Sequence, residues 1–211
     1  MTKGQTYRVG FVFGLAVLLG LLSFENTHAQ RINFSTWTGS DDITITPVGG
    51  LNLNFNQKQA NISANSPAVA INLADMQTVA FRIEAPEGFD LTVEVDAPTV
   101  LSLNGTGTDP EEEQIPFRVG IAYNNLLAGE EMTAKNGAIS LPLGFFNVTF
   151  PVNRRTAGVP GPPPTPESGG TVRPKATAWL FIFGELGPIG LVNAGLYSGD
   201  ITINVFFTSN D

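Results

Sequence analysis

Cysteine is missing from all 211 residues, and histidine occurs once, as His28. Without cysteine there is no disulfide framework and no thiolate nucleophile or metal ligand. Charge is also scarce. Only 14% of residues are charged, with 11 basic against 19 acidic side chains. Phosphate binding needs clustered Lys and Arg, so this balance argues against a nucleic-acid partner. The nearest basic cluster is Arg154-Arg155, which reads as solvated loop charge. Long apolar runs are missing too. The longest, Val9–Leu22, has 14 residues, short of the roughly 20 that span a bilayer as a helix.

That apolar run sits in an informative context. It follows "MTKGQTYR", which carries Lys3 and Arg8 and no acid, and it leads into the small-residue stretch "NTHAQ". A basic, then apolar, then small-residue order is the layout of a secretory signal peptide. Thr27 and Ala29 fit the −3 and −1 positions, which predicts a signal peptide over residues 1–29 and cleavage before Gln30. An uncleaved anchor helix is the other reading, and the length of the run weighs against it. Cleavage would remove His28 and leave 9 basic and 18 acidic residues, a net charge of −9. A mature chain without His or Cys has no Ser-His-Asp or Cys-His nucleophile and no His- or Cys-ligated zinc, iron or copper. Its fold must hold by its core alone. A chain of 182 residues is long enough, since a domain of about 150 residues buries roughly 70% of its unfolded surface.

Helical periodicity is nearly absent. "NNLLAGEEMTAKNG", residues 124–137, is short and glycine-broken and predicts a loop with one helical turn. Elsewhere the period is two. "DITITPVGGLNLNF" alternates at Ile43, Ile45, Leu51, Leu53 and Phe55, and "AVAINL" at Val69, Ile71 and Leu73. "TVAFRIEA" places Val79, Phe81 and Ile83 on one face. "FDLTVEVDAP" sets Phe89, Leu91, Val93 and Val95 inward against Asp90, Thr92, Glu94 and Asp96 outward. "IPFRVGIAY" contributes Phe117, Val119, Ile121 and Tyr123. "ATAWLFIFGEL" is apolar on both faces, as suits a covered strand, and "GDITINVFF" closes the chain. Turn residues recur about every 8–12 positions. The expectation is an all-β, immunoglobulin-like or pilin-like β-sandwich of about nine or ten short strands, in a single domain over 30–211. Residues 158–174, "GVPGPPPTPESGGTVRP", are too rich in proline for a central strand. They read as an exposed proline-rich loop or, alternatively, as a docking motif of polyproline II geometry.

No constellation spells out catalysis. "TDPEEEQ" crowds Asp109, Glu111, Glu112 and Glu113 into one loop but lacks the spaced ligands and central glycine of a calcium loop. It reads as a solvated acidic loop. A glycosidase needs two facing carboxylates, yet Asp90, Glu94 and Asp96 alternate onto a solvent face. No metal or cofactor is expected, and the chain is expected not to be an enzyme. Among the aromatics, Trp179 lies in the most apolar run and reads as core, whereas Trp37 is the candidate exposed ring for a glycan.

The closing segment "VNAGLYSGDITINVFF" resembles that of a bacterial secreted family, the domain of unknown function numbered four-four-zero-two. It is also similar to spore coat protein U and the chaperone–usher pilins. Those chains close with a small residue, glycine, any residue, tyrosine, a Ser/Thr-Gly turn and a Thr/Val-rich strand. Ala194, Gly195, Tyr197, Ser198 and Gly199 match that order. Departures are Phe183-Gly184-Glu185-Leu186 where the family has Gly-Gly-x-Leu, the proline-rich insertion, and the lack of the disulfide found in many pilins. The resemblance implies an exported structural or surface subunit, fimbria-like, in the periplasm, at the cell surface or outside the cell. In pilins an open edge is filled by an extended segment from a neighbour. Transferred to this chain, the donor candidates are Ile32, Phe34 and Trp37, and the acceptor edge is Tyr197, Ile201, Ile203 and Val205. The implied partners are other copies of the chain or a periplasmic chaperone. The donor segment pairing within its own subunit is the competing reading. A monomeric secreted module binding a glycan or a protein is the alternative function.

Overall fold

A computed structural model describes residues 30–39, 42–60, 62–103, 105, 110–154 and 174–208. The fold is all-β. Its strands are β1 (Gln30–Gly39), β2 (Thr44–Val48), β3 (Asn52–Asn54), β4 (Val69–Ile71), β5 (Val79–Pro86) and β6 (Asp90–Asp96). They continue as β7 (Val100–Ser102), β8 (Gln114–Asn124), β9 (Ile139–Ser140), β10 (Asn147–Pro151), β11 (Lys175–Leu186) and β12 (Tyr197–Phe207). Two short helices, α1 (Phe55–Lys58) and α2 (Glu131–Asn136), and a 3₁₀ turn at Glu111–Glu113 interrupt them. The proline-rich segment from 158 to 173 lies outside the described residues.

The strands join into one curled mixed sheet in the order β10-β6-β12-β7-β8-β11-β5-β2. β8 links its halves: Gln114–Pro116 pair with β7, and Phe117–Asn124 pair with β11. Aromatic side chains make contact between the halves. Phe34 of β1 meets Phe81 of β5 edge-on at 5.5 Å between ring centres, and Tyr123 of β8 stacks on Phe150 of β10 at 4.3 Å. Glu87-Gly88 carries the chain from one half to the other, and Gly88 adopts φ +86°, a conformation open to glycine.

Alternation fails where its physical cause is removed. β6 keeps strict period two, with Leu91, Val93 and Val95 buried and Asp90, Glu94 and Asp96 exposed. β11, paired on both edges by β5 and β8, is apolar on both faces because both of its faces are buried. Phe55 departs from the expected strand. The Asn54 side chain accepts from the Asn56 and Gln57 N–H groups and starts α1 there, with the Phe55 ring still buried. The sheet path ends at β10 and β2, which contain Pro151 and Pro47. A proline withholds a ladder donor, which blunts these outer edges.

Candidate functional site

The last strand begins with a built corner. Tyr197 is 1% exposed, and its hydroxyl donates to the Asn193 carbonyl at 2.6 Å. A tyrosine at the start of a late strand, bonded back to the chain a few residues upstream, is a recurrent corner device of immunoglobulin-type folds. Burial, aided by the Glu113 carboxylate, pushes the Tyr197 phenol above its ordinary value. The neighbouring glycines sit against other side chains. A Cβ on Gly195 would lie 2.1 Å from Leu103 Cδ1, and one on Gly199 would lie 2.8 Å from Pro98 Cγ. From this corner β12 runs with Ile201, Ile203 and Val205 buried.

One edge of β12 is hydrogen-bonded to β6 and β7. The other is occupied by β1 in parallel, from Gln30 opposite Tyr197 to Gly39 opposite Val205, with a register shift between Phe34 and Thr36. This is the sole parallel pair among the described strands; the rest are antiparallel. The outer edge of β1 pairs with β3 over Arg31–Asn33 only. Ile32 and Phe34 point into the core, and Phe34 rests on Phe81. The Trp37 backbone pairs with Ile203, while its side chain lies outside the described part of the structure. Donor and acceptor candidates thus meet, within a single chain. The parallel direction and the second neighbour, β3, had no signal in the sequence, because period two is the same in either strand direction.

The other sequence candidates fall elsewhere. Trp179 is 3% exposed and donates through Nε1 to the Ala128 carbonyl at 2.8 Å, as a core indole should. Outside those candidates, Glu84 is ion-paired with Arg82, and Glu185 with Arg118. Asp109 lies outside the described residues, and Glu111 is exposed. Glu94 and Asp96 line a shallow groove of about 370 Å³ with Asn147, Asn204 and the half-exposed Phe146. Asn147 and Asn204 stand on either side of Glu94 in register, so these three side chains form one row on the outer face. Among the described residues no group of three or more acidic side chains is placed to hold a metal ion, and no helix is long and apolar enough to cross a membrane.

No protein-family model matches this chain, and no curated protein does.

Proposed function

We propose that this chain is an exported, non-enzymatic structural or surface subunit whose working part is the β1–β12 edge. The observation that carries this reading is the parallel insertion of β1 alongside β12. A segment at the start of the expected mature chain fills the edge that the Tyr197 corner sets up. On its outer side β1 pairs with β3 over Arg31–Asn33 and the Phe34 N–H donates to the Leu51 carbonyl at 3.4 Å, while no described strand pairs with Thr36–Gly39 there. The same segment of a second copy would offer the same side chains to the same edge, which is the condition for exchange of an identical element between subunits. In this reading the closed chain is the resting form, and exchange of β1 builds fimbria-like assemblies.

The test compares residues 30–211 with residues 41–211 by light scattering, each with and without a synthetic peptide spanning 30–40. The expected result is concentration-dependent assembly of the longer protein, capped by the peptide. The shorter protein should bind the peptide and not assemble. A longer protein that stays monomeric at every concentration, with a shorter one that ignores the peptide, would refute strand exchange.

A second reading, a secreted binding module for a glycan or protein, is favoured by the groove beside Glu94. A carboxylate, two amides and an aromatic edge match the hydroxyl pairs and flat faces of a sugar. Glycan-array binding that is lost in Glu94→Gln and in Trp37→Ala would support it over assembly.

A further inference from the structure

Gln30 is an inward-facing polar residue at the head of β1. Exposure alternates along this strand: Arg31 is exposed and Asn33 half-buried, while Gln30, Ile32 and Phe34 face the core. Gln30 is 2% exposed, and its side-chain carbonyl Oε1 is buried without a hydrogen-bond partner. Burying a polar group without a partner is unfavourable, and an unpaired charge is far more so. Gln30 is also the residue expected to become the N-terminus, so cleavage would place a charged α-ammonium at the head of β1, opposite Tyr197.

We infer that Gln30 is converted to pyroglutamate on maturation, before β1 docks against β12. The inference rests on export with cleavage before Gln30. In its neutral form the α-amine attacks the side-chain Cδ. The new N–Cδ bond closes a five-membered lactam, the Cδ–Nε2 bond breaks, and the nitrogen leaves as ammonia. No oxidant or co-reactant is consumed. The product keeps one carbonyl and one N–H at the strand head and carries no charge there. That suits a position which the alternation of β1 turns toward Ile32, Phe34 and the core.

The test is mass spectrometry of the protein recovered from the exported fraction. A peptidase specific for acidic residues is used, because trypsin would cut after Arg31. A heavy-isotope peptide with a free N-terminal glutamine, added before digestion, reports any cyclisation during handling. The expected result is a native peptide starting at residue 30, lighter by one ammonia and resistant to aminopeptidase until treated with pyroglutamyl peptidase, with the added peptide still open. A free Gln30 overturns the inference and leaves the export reading standing. An N-terminus at Met1 overturns both, and a start at any other residue overturns the inference through its cleavage position. Gln30→Asn cannot close the five-membered ring. Its exported protein is expected to melt about 3 °C lower than the parent, and an unchanged melting temperature would count against a role for the lactam in seating β1.

Discussion

The Tyr197 hydroxyl and the Asn193 carbonyl, 2.6 Å apart, lock the turn that launches the final strand. Four residues separate them in sequence, so the bond is local. What it positions is not: β12 receives β1 on one edge and β6 and β7 on the other. Tyr197→Phe keeps the ring and removes the bond. A loss of about 1 kcal/mol in denaturant unfolding is expected. The parent should also carry an alkaline limb that the variant lacks. The folded phenol titrates above its ordinary value of 10.0, so its contribution is intact below that pH and is lost as pH rises through the folded value.

Phe34 anchors β1 over Phe81. Phe34→Ala opens a cavity at that contact and is expected to lower stability by about 3 kcal/mol. The diagnostic readout is hydrogen exchange. Amides of β12 between Ser198 and Val205 should lose protection, while those of β11 between β5 and β8 should not. Equal loss in both strands would mean that β1 has no separate stability.

Two glycines distinguish backbone from side-chain crowding. A Cβ at Gly184 would stand 2.6 Å from the Arg118 carbonyl oxygen and 2.7 Å from the Phe117 ring. Neither can withdraw without moving β8, so Gly184→Ala is expected to cost about 2–3 kcal/mol. A Cβ at Gly195 meets the end of the Leu103 side chain, which can swing aside because Leu103 is only partly buried. Gly195→Ala is therefore expected to cost less than Gly184→Ala. Thermal unfolding of the two variants side by side checks the order.

An acid-sensitive clasp ties the two helices to one loop. Asp75 accepts from Lys58 Nζ and from the Asn72 N–H, each at 2.7 Å, while Lys135 reaches the Asp75 carbonyl at 3.4 Å. Burial alone would raise the Asp75 carboxyl. Lys58 and the Asn72 amide outweigh it, leaving the group below its ordinary value of 3.8. The stabilisation is thus present above that value and lost as pH falls through the lower folded value. Asp75→Ala is expected to lose about 1 kcal/mol at neutral pH and to flatten the acid limb, measured by urea unfolding between neutral and strongly acid pH.

Much of the fold was legible in the residues. β6 could be read side chain by side chain, because one wet face and one dry face impose period two. β11 could be recognised as doubly covered, because only burial on both faces tolerates "WLFIF". The helical turn within 124–137 and the core position of Trp179 followed from the same logic. About nine or ten strands were expected, and twelve form among the described residues. The stretch 43–55, read as one bent strand, divides into β2 and β3, and Gln30–Gly39, expected only as a possible donor segment, forms β1. Phe55 was placed on a strand because its burial fits period two; the Asn54 cap turned it into a helix start.

The sequence by itself determined that the chain is all-β, which faces of most strands turn inward, and that a glycine turn leads into the last strand. These are local matters of periodicity and turn chemistry, and they can be read one stretch at a time. Only the tertiary structure decided that β1 lies parallel to β12 in its own chain, with a bulge after Phe34 and β3 at its back. Strand direction and partner depend on hydrogen bonds between segments more than 160 residues apart, and side-chain alternation is the same whichever way a strand runs.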